Sequence, residues 1–202
     1  MVQTIKAHCP NCGEAFTAKP RRATKTARGK GQRGELEAAR ELIRLINQYA
    51  PDLFVDPPLA LGSHKGDQWD FRRSAASGGR FDRGDLVKSD RLTKVFRYHL
   101  EIKNAENWSF DELFNNGIPL LWRNAIRQAT DDCPDGETPI VIVKRNRTPF
   151  YVVCRYEDPV IQRVLEKQLD PVAMFWNPVM GDEGWYVVTS LDQFMHAWSQ
   201  AR

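Results

Sequence analysis

The sequence predicts a mixed α/β domain. Two observations carry this expectation. Stretches with apolar residues at helical spacing, such as 33–49 and the segment after Ser190, alternate with short continuous apolar runs such as Pro139–Lys144 and Phe150–Cys154. Interleaving of those two periodicities is the pattern of a mixed α/β domain. The 202 residues, 42% hydrophobic and 27% charged, suffice for one core of ordinary globular composition. No apolar run approaches the ~18 residues of a membrane span, and the amino terminus lacks the apolar segment of a secretory signal. A soluble, cytoplasmic protein is expected, with no membrane partner.

Taken in order, the chain begins with a basic arm. Residues 1–34 hold Lys6, Lys19, Arg21, Arg22, Lys25, Arg28, Lys30 and Arg33 against Glu14 alone, a net +7 in a chain of net +3. The remainder therefore carries −4. An arm of this kind fits a phosphate backbone, and a solubilising disordered tail is the blander alternative. Within the arm, Cys9-Pro-Asn-Cys12-Gly13 has the knuckle spacing that presents two thiolates to Zn²⁺. No second Cys-x-x-Cys follows, so His8, His64, Cys133 or a partner chain would have to complete the site. Free thiols are equally consistent with a cytosolic chain. Residues 14–32 read as a flexible basic linker, giving an arm over 1–32 and a domain over 33–202, with its core about 33–155 and a carboxy-terminal extension over 156–202.

From Arg33 to Tyr49, Leu36, Ala39, Leu42, Ile43, Leu45 and Ile46 predict a helix opened by Gly34 and Glu35 and closed by Pro51. Residues 52–61 predict a short strand broken by prolines, and 62–80 a polar, glycine-rich loop. Strands are expected at about 81–88 and 94–103. A short helix follows Ser109, a second covers about 117–130, and buried strands run through 139–144 and 150–154. Residues 158–169 read as a helix with Pro159 in its first turn. Trp185–Thr189 is the last strand, and Ser190 caps a final helix carrying Leu191, Phe194, Met195 and Trp198. No internal repeat and no second core are visible.

The chemistry concentrates at Gly84-Asp85-Leu86-Val87 and Tyr98-His99-Leu100-Glu101-Ile102-Lys103. Residues two apart on a strand share a face, so Glu101 and Lys103 project together while Leu100 and Ile102 face away. If the strands carrying Asp85 and Glu101 pair, two carboxylates and an ammonium converge. Paired hard oxygen ligands suit Mg²⁺ with substrate phosphate, and a lysine beside them can hold a water or neutralise charge on phosphate. The bland alternative for Glu-x-Lys is a solvated cross-strand ion pair. Glu35, near the apolar stripe of its helix, reads either as a first-turn acid on the helix dipole or as a third acid aimed at the same place. Arg72, Arg73 and Ser77 in the 62–80 loop are suitable phosphate contacts.

Glu35, Ser77-Gly78-Gly79, Gly84-Asp85, Glu101-Ile102-Lys103 and Gln128 together resemble the PD-(D/E)XK nuclease superfamily over about residues 29–155. Within it the pattern is most similar to Holliday junction resolvases of the archaeal type and their phage-borne relatives. The segment Arg72–Gly79 ahead of Gly-Asp points to that branch. The resemblance implies a restriction-endonuclease-like core with a mixed central β-sheet flanked by helices, a Mg²⁺- or Mn²⁺-dependent endonuclease and a homodimer acting on branched DNA. It implies that Glu35, Asp85 and Glu101 hold metal and that Lys103 positions or activates water. Ser77 would contact the scissile phosphate and Gln128 would orient the water or a neighbouring group. Lys30 and Arg33 belong with Arg72, Arg73 and Ser77 as expected DNA contacts. The family's usual proline before the aspartate is Gly84 here. Two other readings stand beside the resolvase: a nuclease of the same superfamily cutting duplex or flapped DNA, and a non-catalytic DNA-binding module.

Overall fold

The computed structural model of the chain describes residues 5–8, 15–18, 25–62, 68–74, 84–106, 108–115, 118–167, 173–178 and 183–201. Strands β1 (Ile5–His8) and β2 (Ala15–Ala18) pair antiparallel, with His8 opposite Ala15. Helix α1 (Lys25–Tyr49) is followed by β3 (Leu61–Gly62), β4 (Phe71–Arg73), β5 (Leu86–Lys88) and the short α2 (Asp90–Thr93). Then come β6 (Tyr98–Asn104), α3 (Phe110–Asn115), α4 (Leu120–Asp132), β7 (Thr138–Lys144), β8 (Tyr151–Arg155) and α5 (Pro159–Glu166). Strands β9 (Ala173–Asn177) and β10 (Gly184–Ser190) and helix α6 (Leu191–Ala201) complete the fold. Among the described residues no helix is long and apolar enough to cross a membrane.

The central sheet has five strands in the order β6-β7-β8-β10-β9. Strands β6 and β7 run parallel and every other pairing is antiparallel, so the sheet is mixed, as the sequence predicts. The carboxy-terminal β10 pairs directly with β8, so that segment is an integral part of the sheet. A second sheet, β3-β4-β5, carries Arg73 at the end of β4 and Asp85 at the entry to β5.

The sheet divides the core into two apolar layers. On one face α1, α5 and α6 cover Leu100, Ile102, Ile140, Ile142, Val152, Cys154 and Val187. There α1 buries Ala38, Ala39, Leu42, Leu45 and Ile46, each large aliphatic contributing about 1.5–3 kcal/mol. The opposite face holds Val141, Val143, Val153, Phe175 and Val188 under Trp122, Ala125, Ile126 and Ala129 of α4. Glu101 lies in one row with Val141, Val153, Val188 and Ala173 across that face.

Several boundaries differ from expectation. Helix α1 begins at Lys25, inside the stretch read as linker; Gly29, Gly31 and Gly34 weaken the helical signal by about 1 kcal/mol each. The strand expected at 52–61 is reduced to Leu61–Gly62. Pro57 and Pro58 donate no hydrogen bonds, and their carbonyls accept instead from Arg91, at 2.8 and 3.1 Å. Phe71–Arg73 forms a strand inside the expected loop, paired to β5 and anchored by a buried Phe71. Helix α2 and strand β9 have no counterpart in the sequence reading.

Candidate active site

Glu101 is fully buried in the β6 row otherwise filled by valines and alanine. Strand alternation places Lys103 on the same face, and its Nζ donates to Glu101 Oε1. Nζ also donates to Gln128 Oε1 on α4, at 3.2 Å. Glu101 Oε2 has no hydrogen-bond partner among the described residues. Burial first, and the nearby Asp85 second, push the Glu101 carboxyl up to about 7 against the pull of Lys103.

Asp85 reaches this strand from the other sheet. Its N–H donates to Leu100 O at 3.2 Å, and its Oδ2 accepts from the Ile102 N–H at 2.7 Å. Asp85, one residue ahead of β5, thus meets the Glu101 strand along the edge of β6, although the two strands belong to different sheets. Gly84 makes that approach possible. Its φ is +78°, and a Cβ there would stand 2.7 Å from His99 Cε1 and 3.1 Å from Leu100 O. Proline, fixed near φ −65°, has no access to this conformation, which gives the Gly84 departure its physical reason. Burial raises the Asp85 carboxyl, opposed by the Ile102 N–H, Lys103 and Arg73.

Glu35 enters from α1, ion-paired to Arg73 on β4. A glycine one residue earlier lets the helix come this close: a Cβ on Gly34 would lie 2.6 Å from Asn104 Cβ. Burial raises the Glu35 carboxyl, Arg73 lowers it, and the fields of Asp85 and Lys103 both reach it. Among the described residues no three His, Cys, Asp or Glu side chains stand close enough to enclose a metal ion. Glu35 is held by Arg73, leaving Asp85 and Glu101 as the adjacent pair. That pair suits a hard divalent cation: two buried carboxylates raise each other's cost of ionisation, and one oxygen is without a donor.

The structure therefore brings together Glu35, Asp85, Glu101, Lys103 and Gln128, and adds Arg73 as a partner of the acids. Arg72 instead packs its guanidinium 4.8 Å from the Trp69 ring centre. Arg33 is exposed on α1. Ser77, Cys9, Cys12 and His64, and the side chains of Lys30 and His8, lie outside the described residues. Cys133, offered as a further zinc ligand, is a thiol raised to about 11 by burial, its Sγ 3.3 Å from Glu137 O. Sequence reasoning missed Asp132, whose charge raises both Asp85 and Glu101. The signal was its position four residues after Gln128, on the same side of α4.

A sequence model of the family described as "Phage putative PDDEXK endonuclease" matches residues 26–201. No curated protein and no solved structure gives a match. The family match spans α1 through α6 and contains every residue gathered at the β6 edge. The chain belongs to this family of phage PDDEXK endonucleases, and it is a nuclease of that kind.

Proposed function

We propose that the protein is a divalent-cation-dependent endodeoxyribonuclease that cuts branched DNA as a homodimer, with the Holliday junction as its substrate. The observation that carries the chemistry is Glu101: a fully buried carboxylate in an apolar row, one oxygen bound by Lys103 and the other without a donor. Asp85 and Glu101 would hold Mg²⁺ or Mn²⁺, joined by Glu35 once it exchanges its Arg73 partner. A bound divalent ion supplies Lewis-acid polarisation of the phosphate and neutralises charge as the P–O bond breaks.

The chain's own groups do the rest. Lys103, steadied between Glu101 and Gln128, aims its ammonium at the attacking water and at negative charge growing on the phosphate. Gln128 fixes the lysine rotamer. Arg73, beside Glu35 and Asp85, keeps excess carboxylate charge from repelling the DNA backbone. The junction assignment is supported by the motif order Arg72–Gly79, Gly84-Asp85 and Glu101-x-Lys103. Two strands cut symmetrically call for two sites related by a two-fold axis.

The test is cleavage of a labelled four-way junction beside linear duplex, Y-fork and single strand of matching sequence, with Mg²⁺, with EDTA and with Asp85→Asn. Paired cuts on the junction, abolished by EDTA and by the variant, are the expected result. Duplex cut at a comparable rate would refute the junction assignment while retaining the nuclease. Absence of metal-dependent cleavage on every substrate would refute the catalytic reading.

A further inference from the structure

Strands β6 and β7 are parallel, so their carboxyl ends emerge at one edge of the sheet. Lys103 pairs with Val143 and Asn104 with Lys144, which puts Arg145 one residue past the paired ladder. From strand dimensions, the Cα atoms of Lys103 and Arg145 are about 8 Å apart. The β7–β8 turn, residues 145–150, therefore stands beside the catalytic lysine. Its sequence, Arg145-Asn146-Arg147-Thr148, is basic.

The turn is built rather than loose. Arg145 N–H donates to Thr148 Oγ1 at 3.2 Å, and Thr148 Oγ1 donates to Arg145 O at 3.2 Å. Asn146 N–H donates to Glu106 Oε1 at 2.9 Å, and Ala105 N–H to Lys144 O at 3.1 Å, tying the turn to the segment after β6. The Arg145 guanidinium rests 5.9 Å from the Trp108 ring centre. Lys144 is occupied by Glu37 on α1, at 3.0 Å. Arg147 is exposed, at φ +62°, with no ion-pair or hydrogen-bond partner among the described residues.

We propose that Arg145 and Arg147 on this turn grip the DNA phosphate backbone next to the scissile position, fixing how the strand lies across Glu101 and Lys103. The proposal rests on the reading that the substrate is DNA. The turn's own hydrogen bonds fix where the two arginines leave the backbone, which lowers the ordering cost of meeting phosphate, and arginine offers phosphate a planar fork of donors. The rival surface is α4, where Arg123 and Arg127 are also exposed. Those two project roughly 100–140° around the helix axis from Gln128, away from the site.

The experiment is a fluorescence-anisotropy titration of labelled DNA in EDTA, which prevents cleavage, across a series of salt concentrations. Arg145→Gln keeps a stem over Trp108, and Arg147→Asn suits the left-handed backbone. The double variant is expected to bind about tenfold more weakly and to lower the log–log salt slope by about two, near one per lost phosphate contact. Arg147→Asn alone should lower it by about one. Arg123→Gln/Arg127→Gln removes the same charge and should change affinity less than about twofold. Equal losses from both pairs would mean diffuse attraction and overturn the proposal, as would an unchanged slope in the turn variants. A wild-type protein that binds no DNA would overturn the substrate reading itself, a result distinct from either.

Discussion

Replacing Glu101 by glutamine should make the metal-free protein more stable while ending its activity. Glu101 titrates at about 7 in the fold, against an ordinary 4.5 when the chain is unfolded. Below pH 4.5 both states hold the proton and the buried carboxyl is tolerated. Between 4.5 and 7 the unfolded chain releases it and the folded chain does not, so stability falls as pH rises, levelling off above 7. At ~1.4 kcal/mol per pH unit of separation, the cost at pH 8 is about 3 kcal/mol. Glutamine has the same shape without the charge. The substitution leaves Lys103, itself only part-buried, with Gln128 as its remaining partner. For a chain of this size, recovering most of that cost raises Tm by about 4–10 °C. Thermal unfolding of both proteins in EDTA should show this gain at pH 8 and little difference at pH 5. Adding Mg²⁺ at pH 8 should then stabilise the wild type and leave Glu101→Gln unmoved. A variant no more stable at pH 8, or a difference independent of pH, would refute the idea that this carboxylate is held at an energetic loss for the sake of a cation.

Gly84→Ala should cost about 1–3 kcal/mol, because the left-handed backbone and the 2.7 Å approach to His99 both oppose a Cβ; denaturant melts should show the loss, and cleavage should fall with it as Asp85 is displaced. Lys88 is a buried cation, its side chain 5% exposed, bonded to Glu137 Oε2 at 2.8 Å and Phe96 O at 2.9 Å. Lys88→Met should therefore cost about 3–5 kcal/mol by stranding Glu137, and the double change Lys88→Met/Glu137→Leu should recover most of it in a double-mutant cycle. If the single and double variants lose the same amount, the pair is not coupled.

Much of the site was legible because β-strand alternation is a rigid rule. Glu101 and Lys103 had to share a face once 98–104 was a strand, and Glu35 had to lie near the apolar stripe of its helix. What escaped depends on contacts between distant segments. Arg73 reads in sequence as a loop arginine free to meet DNA; only the pairing of β4 with β5 turns it toward Glu35. Strand β4 itself is three residues long and flanked by polar sequence, too short for periodicity to register. Strand β9 alternates buried and exposed residues, but Met174 and Trp176 on its outer side hide the polar half of that pattern. The start of α1 was obscured by its glycines, one of which, Gly34, is there because Asn104 leaves no room for a side chain.

The parallel pairing of β6 with β7 also bears on when during synthesis the protein can become dangerous. Glu35, Asp85 and Glu101 all precede residue 102, yet the strand bearing Glu101 lies at the sheet edge, and among the described residues its one neighbour within that sheet begins at Thr138. Gln128, which steadies the lysine, also comes later. A nascent chain therefore carries Glu35, Asp85 and Glu101 before β7 can pair with the Glu101 strand and before Gln128 can steady the lysine. The blade is forged early and left unhafted, so a truncated product ending before β7 is expected to show no metal-dependent cleavage.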